Sequence, residues 1–185
     1  NTVSDYDAEE IKRQISVSLS AMYLEHNGKK INILDTPGYF DFAGEVREAL
    51  RVASAGVIVC ASKGGVAVGT EKAWSYLTNS KLPKILFISR LDEENSDFSA
   101  TFNELREKFG HSVCPMTVPI KDASGKVSGI IDVIAHKAYT IEKGKRVEIP
   151  LPQDMEDTVN EMYTVLAENV AETSEELMDR YFEGD

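Results

Sequence analysis

The chain has 185 residues, 42% of them hydrophobic, and a formal net charge of −11. This is enough for one core and a smaller satellite domain, while the acidity argues against free nucleic-acid binding, which draws its affinity largely from Lys and Arg on phosphates. No apolar stretch nears the roughly 20 residues of a membrane span, we read no signal peptide, and Cys60 and Cys114 show no metal-site spacing, so we expect reduced thiols in a soluble, cytoplasmic protein.

Ile15 to Glu25 alternates apolar and polar residues, as a half-buried strand does. His26-Asn27-Gly28-Lys29 then reads as a hairpin turn, since Asn-Gly supplies positive φ, and Lys30 to Asp35 is the partner strand. That strand ends on a carboxylate, and Thr36-Pro37-Gly38 breaks it. A carboxylate at a strand's C-terminal edge can hold a metal-bound water, and the glycine leaves a backbone N–H open to a phosphate oxygen. An ordinary strand-to-turn junction is the competing reading, because Pro-Gly is common turn punctuation.

Phe42, Val46, Leu50 and Ala53 recur at helical spacing, with Glu45, Arg47, Glu48 and Arg51 elsewhere on the surface. Val57 to Ala61 and Ile85 to Ser89 are continuous apolar runs, which predicts parallel strands covered on both faces. Between them Gly69-Thr70 starts a helix carrying Trp74 and Leu77. This strand–helix order predicts an α/β nucleotide-binding sheet. A helix from about Asp97 to Gly110 follows, and then the pattern changes. Val113 to Ile120 and Val127 to Ile134 are β-rich, Glu142-Lys143-Gly144-Lys145 reads as a second hairpin turn, and a long helix places Met155, Val159, Met162, Tyr163, Leu166 and Val170 on one side. Such a small sheet needs the helix to cover its apolar face.

Asp35-Thr36-Pro37-Gly38 followed by Phe40-Asp41-Phe42 resembles the second switch of the translation-factor GTPases, elongation factor G in particular. Thr2-Val3-Ser4-Asp5-Tyr6-Asp7 with Arg13-Gln14-Ile15-Ser16 resembles the first switch. Gly64-Gly65-Val66 with Glu71-Lys72-Ala73-Trp74 resembles the next helix entry, and Ser89-Arg90-Leu91-Asp92 sits where the guanine-reading loop belongs. The resemblance covers essentially the whole chain, and Tyr39 points to the elongation factor G-like paralogues. It implies an incomplete GTPase core over residues 1–110 and, over 111–185, the α+β subdomain that elongation factor G inserts into that core.

The resemblance also implies the chemistry. Phosphoryl transfer to water needs neutralised phosphates, magnesium and a positioned nucleophile. By resemblance Ser16, where the family usually has Thr, offers its hydroxyl to the magnesium, although a strand-edge serine is an equal reading of that residue. Asp35 holds the magnesium through water, the Gly38 N–H contacts the γ-phosphate, and Thr36, Pro37 and Tyr39 complete the switch. Asp92 accepts two hydrogen bonds from the guanine edge; its plainer reading is a solvated loop acid. In elongation factor G a histidine follows Asp-Thr-Pro-Gly and positions the attacking water. Tyr39 stands there in this chain, and a phenol cannot become a cation near neutral pH. Ser89-Arg90 replaces the family's Asn-Lys, which removes the asparagine amide and leaves Arg90 to stack over the base.

No Gly-x-x-x-x-Gly-Lys-[Ser/Thr] phosphate loop occurs in the 185 residues, and the family's Ser-Ala guanine loop is missing. The reading is therefore a fragment whose sheet lacks its first strand and phosphate loop, itself inactive and without bound cofactor. GTP or GDP and magnesium belong to the full-length parent. The missing strand would leave unpaired edges on the switch strand and on Val57 to Ala61. We expect that gap to close by direct pairing, by refolding of the Asn1 to Arg13 arm, or by self-association with a second chain. For the parent, the resemblance implies a GTP-hydrolysing translation factor acting on the ribosome, with a large-subunit stalk protein as a further partner. A non-hydrolysing paralogue serving as a nucleotide-gated or ribosome-docking module is the alternative.

Overall fold

The computed structural model describes residues 3–184. Thr2 of the expected first-switch segment lies outside them, as do Asn1 and Asp185. The described residues form two compact units: those up to Cys60 with Ala67–Phe87, and Ala61–Val66 with those from Ile88 onward.

The first unit opens on helix α1 (Ala8–Arg13), which a capping box starts. The Asp7 carboxylate accepts the Glu9 N–H at 2.8 Å, and the Glu10 carboxylate reaches back to the Asp7 N–H at 3.2 Å. Strands β1 (Ser20–His26) and β2 (Lys29–Asp35) pair antiparallel, with Ser20 opposite Asp35 and His26 opposite Lys29. Asn27 and Gly28 take φ of 49° and 70°, the two positive values that this hairpin turn requires. The strand begins at Ser20 and not at Ile15, because carboxylates take the amides of Val17, Ser18 and Leu19 before a ladder can. It is also less buried than its alternation predicts: Ala21 and Tyr23 are exposed, and only Ser20 is fully buried.

A short 3-10 turn at Phe40–Phe42 leads into helix α2 (Ala43–Leu50), whose Ala49 is buried and whose Val46 and Leu50 are half-buried. Strand β3 (Gly56–Ala61), helix α3 (Val68–Asn79) and strand β4 (Lys84–Ser89) follow. The Gly56 N–H donates to Pro83 and the Ser62 N–H to Ser89, so both chains advance in the same direction and the pair is parallel. One face is buried through Ile58 and Cys60. Burial pushes the Cys60 thiol pKa up, which leaves it an inert core group.

The other face corrects the expectation of cover on both sides. Val57, Val59, Ile85 and Phe87 are 63%, 64%, 53% and 57% exposed. Apolar runs record a surface suited to burial, and no described residue buries this one. β1–β2 and β3–β4 are separate two-stranded sheets, so β2 and β3 do not pair directly, and the described part of the amino-terminal arm forms α1 in place of a strand.

In the second unit, helix α4 (Phe98–Phe109) runs between the Asp97 cap, which accepts the Ala100 N–H at 3.0 Å, and Gly110. Strands β5 (Thr117–Lys121), β6 (Val127–Asp132), β7 (Lys137–Glu142) and β8 (Lys145–Ile149) form an antiparallel sheet in chain order. At Gly129 a Cβ would stand 2.6 Å from the Tyr139 carbonyl oxygen, so only glycine lets β6 and β7 approach there. Helices α5 (Glu156–Ala171) and α6 (Glu175–Glu183) complete the unit. Ile120, Ile131, Ala138 and Val159 form its core, with Ile149, Leu151 and Met155 packed against it. On α5 the inward positions are Val159, Met162, Val165, Leu166 and Ala171; Tyr163 and Val170, expected inward, are exposed.

Candidate functional site

In the first unit, β2 delivers Asp35 to the end of the β1–β2 ladder, and Pro37, which has no N–H to donate, turns the chain there. Asp35 is half-buried, Pro37 is buried, and Gly38 and Tyr39 are exposed. Among the described residues the Asp35 carboxylate has no hydrogen bond or ion pair, and its oxygens are open to solvent, which leaves their lone pairs available. A Cβ built at Gly38 would meet nothing within 4 Å, so the backbone of the turn borders open space. Tyr39 caps the 3-10 turn through its carbonyl, which accepts the Phe42 N–H at 3.1 Å, and its phenol is free of partners among the described residues. Beside it, the Lys72 ammonium lies 3.7 Å from the centroid of the Phe40 ring, a cation–π contact joining α3 to the turn.

Ser16 stands apart from the turn in its bonding. Its hydroxyl donates to Asp5 Oδ1 at 2.8 Å. The proton is committed to Asp5 while the oxygen lone pairs stay available, so this hydroxyl can still serve a hard cation. Magnesium prefers oxygen donors with several retained waters, and the Ser16 hydroxyl and the Asp35 carboxylate are each donors of that kind. Among the described residues no group of three or more His, Cys, Asp or Glu gathers into a protein-only metal cage.

Two acids that sequence reasoning missed organise this region. The Glu10 side chain, in a residue only 3% exposed, accepts N–H bonds from Val17 at 2.9 Å and Ser18 at 3.1 Å. Those bonds, with the one from Asp7, hold its carboxyl below the usual glutamate range. Glu45 of α2 accepts the Leu19 N–H at 2.7 Å. The Asp7-x-x-Glu10 spacing was a readable signal for a capping box. Nothing local announces Glu45.

In the second unit, Ser89 ends β4, and the chain enters the Arg90-Leu91-Asp92 loop with Arg90 at φ 58°. The Ser62 hydroxyl donates to the Arg90 carbonyl at 2.9 Å, and the Ser96 hydroxyl to that of Leu91 at 2.7 Å. These two bonds fix the loop backbone. The Arg90 guanidinium sits 3.6 Å from Glu93, an exposed pair that contributes little and is readily exchanged. Asp92 is exposed, and its carboxylate has no partner among the described residues.

Known proteins match this chain over nearly all of its length. The family model for the elongation factor Tu GTP-binding domain matches residues 1–181. An elongation factor G-like protein of Thermotoga maritima is 34% identical over 181 residues, which is 98% of this chain and 26% of that protein. A crystal structure of a Thermus thermophilus protein superposes with a TM-score of 0.92 at 34% identity, covering 100% of this chain and 28% of that one. The chain thus spans about a quarter of the length of these two relatives. It belongs to the elongation factor Tu GTP-binding domain family, with an elongation factor G-like protein among its relatives.

Proposed function

We propose that this chain is the switch-bearing part of a longer elongation factor G-like protein that binds GTP, acts on the ribosome and uses hydrolysis to drive conformational change. The observation that carries the reading is the unpaired Asp35 carboxylate beside the open backbone at Gly38, at the C-terminal end of β2 and directly ahead of α2. In this reading the Gly38 N–H meets the γ-phosphate, and Ser16 holds magnesium directly while Asp35 holds it through water. Bound magnesium supplies charge neutralisation on the phosphates. Thr36 and Pro37 shape the turn. Tyr39 faces the attacking water as a hydrogen-bond partner that cannot become a cation, so hydrolysis is slower or differently triggered than with histidine.

Asp92 pairs with the guanine edge and Arg90 stacks on the base, with Ser89 and Leu91 as the framework of that loop. Residues 1–110 form the GTPase core, which lacks its first strand and phosphate loop, and 111–185 form the inserted subdomain. The stalk protein of the large ribosomal subunit is that subdomain's partner, and the cytoplasm is the place of action. Alone, this chain binds no nucleotide, because nothing in its 185 residues supplies the phosphate loop's row of N–H donors and its lysine. The test is ribosome-stimulated GTP turnover by the longer protein and its Tyr39→His variant. A faster variant supports the reading; equal rates remove the role given to Tyr39.

A further inference from the structure

Val17, Ser18 and Leu19 present three consecutive backbone N–H groups just after Ser16, and side-chain carboxylates take all three. Glu10 Oε1 accepts the first two, at 2.9 and 3.1 Å, and Glu45 Oε2 accepts the third at 2.7 Å. The two acids lie on different elements. Glu10 belongs to α1 and is local to the arm, whereas Glu45 sits in the first turn of α2, 26 residues from Leu19. Charge-assisted bonds to backbone amides are about twice as strong as neutral ones. The segment that carries the Ser16 hydroxyl is therefore pinned on one side by its own arm and on the other by α2.

We propose that Glu45 is a positioning residue that ties the place of the Ser16 segment to the place of α2. α2 follows the Asp35–Tyr39 turn with only the short 3-10 turn between. Any displacement of α2 pulls the acceptor from the Leu19 N–H, and of the three consecutive amides only those of Val17 and Ser18 then keep a carboxylate acceptor. A position change at one segment thus reaches the other through the Glu45–Leu19 hydrogen bond, without a shared ligand. This deepens the proposed function in what it says about the cause of α2 movement, but the tether itself requires no nucleotide.

Amide hydrogen exchange on the 185-residue chain, without nucleotide, tests it. Glu45→Ala speeds exchange at Leu19 about tenfold, the effect of losing one charge-assisted bond, while Val17, Ser18 and the β1–β2 ladder keep their rates. Glu10→Ala does the converse, with Val17 and Ser18 accelerated. Glu48→Gly, at an exposed α2 position, loosens the helix through glycine's poor helix propensity and carries Leu19 with it while Val17 and Ser18 stay protected. Leu19 exchanging at the wild-type rate in Glu45→Ala overturns the tether. So does a Glu48→Gly chain whose α2 amides accelerate while Leu19 does not. Neither result bears on whether Asp35 faces a phosphate, which only nucleotide titration reports.

Discussion

The Ser16 hydroxyl donates to the Asp5 carboxylate at 2.8 Å, across eleven residues of the amino-terminal arm. This bond sets which way the oxygen's lone pairs point, so Asp5 determines what Ser16 can offer a cation. Removing either partner should cost about 1 kcal/mol, the usual net value of such a bond. In a double-mutant cycle on urea unfolding, the cost of Asp5→Ala with Ser16→Ala should fall short of the sum of the two single changes by about 1 kcal/mol. Additive losses would mean the two residues act separately.

Glu10 predicts a pH dependence with a definite sign. Its folded-state pKa is lowered, first by the Val17 N–H and then by that of Ser18. The stability it contributes is thus fully present above the ordinary glutamate range and is lost as pH falls through the lower folded value. Urea unfolding of the wild type and Glu10→Gln between pH 7 and pH 3 should show the gap between them closing at the acid end. A gap that stays constant across that range would contradict the assignment.

Adjacent residues on β6 point to opposite faces, and this gives a stability contrast. Ile131 is 0% exposed in the core with Val159, whereas Ile130 is 43% exposed. Ile131→Ala should cost about 3 kcal/mol, within the range for buried Ile to Ala changes. Ile130→Ala should cost about 1 kcal/mol or less. Chemical denaturation measures both, and similar losses would mean that the sheet does not pack as described.

The hairpin at Asn27-Gly28 and the Asp97 and Gly110 caps of α4 were legible because each is a local backbone demand met by a local residue. The start of β1 was not, since Ile15–Leu19 has a strand's alternation and its fate depends on side-chain acceptors, Glu10 for Val17 and Ser18 and Glu45, 26 residues away, for Leu19. Likewise Val57–Ala61 reads as doubly covered, because apolar content cannot tell a covered face from one merely suited to cover. At the candidate site the sequence named Asp35 and Gly38. Only the structure could add that the acid is unpaired and the turn open, because both are properties of surrounding space.

The exposed Val57, Val59, Ile85 and Phe87 face predicts self-association. Sedimentation velocity of the chain should show mass rising with concentration, and the pair Val59→Lys with Phe87→Lys should return it to monomer. A wild type that stays monomeric at every concentration would contradict this.

The central claim is that Asp35 and Gly38 face the terminal phosphate of bound GTP, and calorimetric titration with GTP and magnesium tests it most directly. The account predicts no saturable heat from the 185-residue chain. In the longer protein it predicts saturable binding that Asp35→Asn weakens about tenfold or more, as loss of a metal's outer-shell partner does. Saturable heat from the chain alone, or GTP affinity of the longer protein unmoved by Asp35→Asn, would contradict it.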